Sequence, residues 1–282
     1  MKLLTKRYLQ ACSATLIAGF ALFSSYWLGG PNFESLFVLR VRTNRLRCFI
    51  DTSPSAPYGG FMHDLSSSED TGIAPVKPLM RGWLHVGGVV ALVAASPILI
   101  ARAHTWTQVI WVMCYVVGVG VMMLTSALFH RINWEPSVRR AWRRADHSAI
   151  FLAITGTYLA IAGLTMHGTI RVVLLVTIGT GALVGIAIRQ FALDTPKWAN
   201  TLPYLVVGWA AVGVLPQIER GGGAACFAFV VAGGLAYSIG AVFYGSKRPR
   251  LSPRVFGYHE LFHAFTLLGA GLHFAALTLA LR

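Results

Sequence analysis

The chain has 282 residues, of which 55% are hydrophobic and only 12% are charged, and its mean hydropathy is +0.61. Soluble globular domains carry about 25% charged residues, so this composition excludes a soluble protein and predicts an integral membrane protein. The net charge of +14 comes from basic clusters between long apolar runs. Such clusters orient membrane helices, and we therefore do not interpret the charge as a nucleic-acid surface.

The first 61 residues differ from the rest of the chain. An apolar run at 11–28 is followed by an arginine-rich stretch and by the Pro/Ser/Gly-rich segment SPSAPYGGF. Three interpretations stay open: a signal sequence, an eighth helix, or an upstream mis-start of a protein whose translation begins at Met62. The chain is predicted to divide into an N-terminal extension at 1–61, a cytoplasmic segment at 62–81 and a membrane domain at 82–282.

Seven stretches after residue 80 are long and apolar enough to span a bilayer, which takes about 20 residues per helix. They lie at about 82–101, 107–130, 146–166, 170–189, 200–218, 224–244 and 258–280. The predicted fold class is therefore all-α, a polytopic bundle of seven transmembrane helices. Gly181 and Gly185 form a G-x-x-x-G pair in the fourth helix, which indicates either a close-packing face or ordinary glycine usage in membrane helices.

Lysine and arginine are distributed unequally between the two sets of connections. One set carries thirteen, at 77, 81, 131, 139, 140, 143, 144, 189, 197, 247, 248, 250 and 254, and the other carries four, at 102, 171, 220 and 282. The positive-inside rule places the richer set in the cytoplasm. The N-terminal side of the first helix is therefore predicted to be cytoplasmic and the C-terminus to lie outside, as seven crossings require.

With this orientation, five polar side chains from three helices reach the cytoplasmic leaflet. Ser126 and His130 lie four residues apart on one face at the end of helix two, Asp146 lies at the start of helix three, and His259 and His263 lie four apart at the start of helix seven. Ionisable groups at such depth cost several kcal/mol unless they find partners. We therefore expect these side chains to meet.

Three histidines at one depth suit a zinc ion with an open fourth position, which is the arrangement of catalytic zinc. Asp146 could then orient or deprotonate a water whose pKa the metal lowers. Each residue also has a simpler interpretation: a packed histidine, a serine bonded to its own helix, or an aspartate that caps a helix.

Four motifs in order resemble the hemolysin III proteins, which belong with the progestin and adipoQ receptors. They are R-G-W-L-H with His85, S-x-x-x-H at the end of helix two, D-H followed by IFLAITGTY in helix three, and H-x-x-x-H opening helix seven. The resemblance covers about residues 77–282. It implies a seven-helix fold with zinc held by His130, His259 and His263, with Asp146 contacting the bound water and Ser126 nearby.

Alkaline ceramidases are similar at this site, which suggests hydrolysis of an amide or ester in a membrane lipid. We therefore expect a zinc-dependent lipid hydrolase in the plasma membrane, with Asp146 and Ser126 as its catalytic residues. Two alternatives stay open: a protein that permeabilises membranes, as the hemolysin name implies, and a receptor-like sensor whose zinc is structural.

The stretch GYHELFHAF also spells H-E-x-x-H, the helical signature of zinc proteases, in which Glu260 would be the base. His273 would lie about 15 Å deeper along the helix, so a protease would need a third ligand such as Asp194. That interpretation leaves Ser126, His130 and Asp146 without a role. Glu260 is instead expected to face a neighbouring helix or the lipid head groups.

The remaining histidines are assigned lesser roles. His85 is expected either to support the site by hydrogen bonding or to pack, and His147 is expected to turn away from Asp146. His104 and His167 belong to the outer connections.

Overall fold

Seven α-helices and one 3₁₀ segment run through the part of the chain that the computed structural model describes, which is residues 78–191, 196–249, 251–252 and 254–282. The helices are α1 Trp83–Arg102, α2 Trp106–Arg131, α3 Pro136–Thr165, α4 Gly168–Phe191, α5 Lys197–Gly208, α6 Leu215–Ser246 and α7 Tyr258–Ala280, and the 3₁₀ segment is Trp209–Val214. The described part is all-α, as predicted. The extension at 1–61, nearly all of the segment at 62–81 and Asp194 lie outside the described residues.

Helix α3 begins ten residues earlier than predicted, at Pro136 instead of residue 146. Glu135 is its N-cap, and a proline fits the first turn of a helix because its missing N–H would have no partner there. The arginine-rich stretch that follows continues the helix, since arginine has a high helix propensity. Asp146 therefore lies inside α3, and the interpretation of Asp146 as a helix cap is wrong.

The region from α5 to α6 departs most from the predicted helix pattern. Six segments of the described chain are long and apolar enough to cross a membrane, and the one at Ala199–Ser246 counts as a single segment of 48 residues. Gly223 interrupts it with φ +82° and ψ +164°, a conformation that glycine adopts most readily. Trp209 Nε1 donates to Ser238 Oγ at 2.8 Å, so the chain turns back between these two residues.

Tyr158 of α3 supports the 3₁₀ segment from the side. Its hydroxyl donates to the Gly208 carbonyl oxygen at 2.7 Å and accepts from the Ala211 N–H at 2.8 Å. One side chain therefore serves two backbone groups at the place where α5 gives way to the 3₁₀ segment.

Close contacts between helices depend on glycine at particular positions. A Cβ atom on Gly156 of α3 would lie 2.3 Å from the Cys114 carbonyl oxygen of α2, and one on Gly185 of α4 would lie 2.1 Å from the Phe151 ring. Gly185 of the predicted G-x-x-x-G pair is therefore a close-packing residue. Most of α2 and α3 is buried, whereas less than a quarter of α1 and of α4 is buried, so α2 and α3 form the centre of the bundle.

The residues before α1 are bonded to the loop before α7. The Leu79 N–H donates to the Arg254 carbonyl oxygen at 3.0 Å, and the Met80 N–H donates to the Val255 carbonyl oxygen at 3.2 Å. The N-terminal ends of α1 and α7 are thereby held next to each other.

Candidate metal centre

Three imidazoles converge where the end of α2 meets the start of α7. His259 and His263 are four residues apart, so they share one face of α7, and His130 lies in the last turn of α2. One ring nitrogen from each of the three can be chosen so that all lie within 4.8 Å of one another. His130 Nε2 and His259 Nε2 are 3.1 Å apart. The structure therefore brings together the three histidines that were predicted to do so.

The group is largely removed from solvent. His130 and His263 are buried and His259 is half-buried. Tyr244 and Phe262 pack against the His259 ring, with centroid distances of 5.4 and 6.3 Å. Three basic nitrogens held close together in apolar surroundings form a suitable donor set for a divalent metal that prefers imidazole, such as zinc.

His85 of α1 adds a fourth imidazole beside the three. Its ring stacks on His263 with a centroid distance of 4.0 Å and an interplanar angle of 8°. His85 is 2% exposed, and neither of its ring nitrogens has a hydrogen-bond partner in the described part of the chain. It was expected either to support the site by hydrogen bonding or to pack. In the structure it is in direct contact with His263, a member of the triad formed by His130, His259 and His263.

Ser126 and Asp146 lie close together on the neighbouring faces of α2 and α3. The Ser126 hydroxyl is a neighbour of the Asp146 carboxylate, and both side chains line the same cavity. His147 was expected to turn away from that carboxylate. This expectation is wrong, since its Nδ1 lies 3.7 Å from Asp146 Oδ2. Helix α3 therefore presents a carboxylate beside a hydroxyl group from α2.

A cavity of about 160 Å³ joins these groups. Ser126, Asp146, His85, His259 and His263 all line it. The rest of its wall is largely apolar, with contributions from α3, the 3₁₀ segment, α6 and α7. A smaller cavity of about 70 Å³ shares part of this wall and continues towards Met166 and Leu215. The space is polar at the histidines and apolar beyond them.

His273 also takes part in this space, which was not predicted. His273 lines both cavities, and its Nε2 lies 3.2 Å from the Val230 carbonyl oxygen. It is on α7 ten residues beyond His263, which corresponds to about 15 Å along a helix. The distance to the triad was predictable, but the cavity that connects them was not.

Glu260, the acidic residue of the H-E-x-x-H stretch, has both carboxylate oxygens occupied. Arg81 Nε donates to Oε1, and the Gly257 N–H donates to Oε2 at 2.8 Å. Glu260 is 1% exposed and does not line the cavity that His259 and His263 line. It faces the segment before α1, which is one of the two positions expected for it. Its engagement with Arg81 gives no support to a protease-like base.

Glu260→Gln is expected to lower the thermal stability of the detergent-solubilised protein. The amide keeps the shape of the side chain but leaves the Arg81 charge unbalanced next to a buried group, at a cost of about 1–3 kcal/mol. The measurement is the midpoint of thermal unfolding. Glu135→Gln is the control, because Glu135 is exposed and its side chain makes no capping bond; equal midpoints for the two variants would contradict the role of the ion pair.

The family described as "Haemolysin-III related" matches residues 73–274. "Hemolysin-3" of Bacillus cereus is 31% identical over 193 residues, which cover 67% of this chain and 85% of that protein. "Hemolysin-3 homolog" of Bacillus subtilis (strain 168) is 28% identical over 193 residues, 67% of this chain and 87% of that protein. "Heptahelical transmembrane protein ADIPOR2" of Oryza sativa subsp. japonica is 30% identical over 189 residues, 60% of this chain and 81% of that protein.

Proposed function

The chain belongs to the haemolysin-III related family of integral membrane proteins, and on that basis we propose that it is a zinc-dependent hydrolase of a lipid amide or ester. The predicted resemblance to hemolysin III proteins and to the adipoQ receptors is confirmed by these matches. The proposal rests on one observation above all. Three imidazoles meet beside a cavity, and two of them, those of His259 and His263, line it together with an aspartate and a serine in an otherwise largely apolar wall.

The donor set suits zinc in number and in spacing. In a tetrahedral site with bonds of about 2.0–2.1 Å, ligand nitrogens lie roughly 3.3 Å apart, and the His130 and His259 nitrogens are already 3.1 Å apart. His130, His259 and His263 would hold the ion. Zinc bound there would polarise a carbonyl group and lower the pKa of a water molecule.

Asp146 is proposed as the acid–base residue of the reaction. Its carboxylate lines the cavity together with His259 and His263, and it can accept a proton from the attacking water and later return it to the leaving group. Ser126 interacts with Asp146 and also lines the cavity, so its hydroxyl can orient the carboxylate or donate to the carbonyl oxygen of the substrate.

A membrane lipid is the proposed substrate. The cavity walls beyond the polar groups are formed by side chains such as Ile150, Leu205 and Trp209, which match an acyl chain better than a polar metabolite. The test is release of fatty acid from amide- and ester-linked lipids by the purified protein in detergent or liposomes, with and without a chelator. Release that the chelator abolishes and zinc restores supports the proposal; dye leakage from liposomes without any hydrolysis, unaffected by the chelator, would favour direct permeabilisation.

Seven crossings of the plasma membrane are part of the proposal. A continuous helix of 48 residues would be about 72 Å long, against a hydrocarbon core of about 30 Å. The break at Gly223 therefore supports two crossings in this segment, one on each side of the glycine. Seven crossings and the unequal distribution of basic residues together predict that the N-terminal side of α1 lies in the cytoplasm and the C-terminus outside.

A reporter enzyme that is active only outside the cytoplasm tests this topology. A fusion after Arg282 is expected to be active, and a fusion after Lys247, between α6 and α7, is expected to be inactive. The reverse pattern would overturn the proposed orientation, and activity at both positions would overturn the proposal that α7 crosses the membrane.

A further inference from the structure

We propose that His85 is a ligand-contacting residue of this site, whose imidazole donates a hydrogen bond to a carbonyl or carboxylate oxygen of the lipid group in the cavity. The inference rests on the proposed hydrolase function and deepens it, because it assigns a residue from a fourth helix to the handling of the substrate oxygen.

The first observation is that His85 is polar, buried and unsatisfied. It is 2% exposed, and neither ring nitrogen has a hydrogen-bond partner among the described residues. Burying a polar group without a partner costs free energy that an apolar ring would not. A phenyl ring would stack on His263 equally well, so packing alone does not account for an imidazole at this position.

The second observation is that His85 is held firmly at the cavity wall. Its ring lines the cavity and lies parallel to His263 at a centroid distance of 4.0 Å. One turn further along α1, a Cβ atom on Gly88 would lie 2.4 Å from Leu267 of α7, so the two helices are in close contact here. The imidazole is therefore fixed in place before any ligand arrives.

His85 is placed beside the triad but is not a member of it. A metal ion lies in the plane of an imidazole that binds it, at about 2.0–2.1 Å from the nitrogen. Because the His85 ring is stacked parallel to the His263 ring at 4.0 Å, its nitrogens would not share an ion held by His263. His85 is accordingly absent from the group whose nitrogens lie within 4.8 Å of one another, and it would be available to a bound ligand instead of the metal.

The chemistry of the ring fits an oxygen acceptor. A neutral imidazole has one N–H donor and one acceptor nitrogen. The oxygens of an amide or ester carbonyl, and of the carboxylate that hydrolysis produces, are acceptors only. His85 therefore complements the substrate carbonyl and the product carboxylate in the same way.

The experiment uses the full chain loaded with cobalt(II), whose absorption spectrum reports on the metal site, and acetohydroxamate as a small probe with a carbonyl-type oxygen. His85→Phe keeps an aromatic ring against His263 and removes both nitrogens. We expect His85→Phe to bind cobalt with the parent's spectrum but to bind acetohydroxamate about tenfold more weakly, which is the effect of one lost hydrogen bond. Equal acetohydroxamate affinity in both proteins would overturn the proposal.

The experiment also distinguishes failure of the metal site from failure of the proposed role of His85. A parent protein that binds no cobalt contradicts the metal site itself and thus the proposed function, whereas cobalt binding with unchanged probe affinity contradicts only the role of His85. If circular dichroism shows that His85→Phe does not fold, His85→Gln and His85→Leu replace it. Glutamine retains a donor, so it is expected to bind the probe several-fold more tightly than leucine; equal affinities would again overturn the proposal.

Discussion

His130→Ala is expected to reduce the zinc content of the purified protein from about one ion per chain to almost none. His130 is the one member of the triad that comes from α2, and its Nε2 lies 3.1 Å from that of His259. Loss of a direct ligand leaves two nitrogens from a single helix, and we expect it to weaken binding by more than the roughly 10–100-fold that follows from changes to outer-shell partners. Plasma mass spectrometry of protein purified without added chelator gives the stoichiometry.

His167→Ala is the matched control for this loss. His167 is exposed and lies between α3 and α4, so its removal changes the histidine count without touching the triad. Zinc retained in His167→Ala and lost in His130→Ala assigns the ion to the triad. Zinc at full occupancy in His130→Ala would refute the site, and a folded parent that takes up no zinc would remove the metal-based mechanism.

Asp146→Asn is expected to lower lipid hydrolysis by about 10²–10⁴-fold, the usual contribution of a general acid–base residue. The amide has nearly the same shape, yet it cannot take the proton of an attacking water. Because Asp146 is not one of the three triad residues, the variant should keep its zinc. Fatty acid release and metal content, measured on the same preparation, check both parts of the prediction.

Glu219→Gln provides the comparison for Asp146→Asn, since Glu219 is exposed in the early part of α6 and does not line the cavity that Asp146 lines. It is expected to hydrolyse lipid at the parent rate. Full activity in Asp146→Asn would show that the carboxylate is structural. Loss of zinc together with activity would show instead that Asp146 acts through the metal site.

Helix spacing was sufficient to predict the triad. His259 and His263 share a face because they are four residues apart, and the apolar runs placed His130 at the same depth. What spacing cannot give is the rotation of one helix relative to the next. The stacking of His85 on His263 depends on that rotation, which is set by contacts between helices such as Gly88 with Leu267.

The prediction was weakest where polar sequence continues a helix beyond the apolar run. Counting apolar residues placed the start of the third helix at 146, but α3 starts at Pro136 because its arginine-rich first turns are stable as a helix outside the apolar part. The pairing of Arg81 with Glu260 was also missed. Arg81 had been counted only as one of the basic residues that set orientation, although Glu260 is a buried acid beside it.

The Tyr158 hydroxyl performs a task that water performs in soluble proteins. At the change from α5 to the 3₁₀ segment, the Gly208 carbonyl and the Ala211 N–H both take this oxygen as their partner, and Gly208 also lines the cavity. In hydrocarbon, a backbone group released from its partner finds no solvent to replace it. An oxygen atom from another helix therefore supports the bent shape of this wall of the cavity and acts here as a permanently bound substitute for solvent.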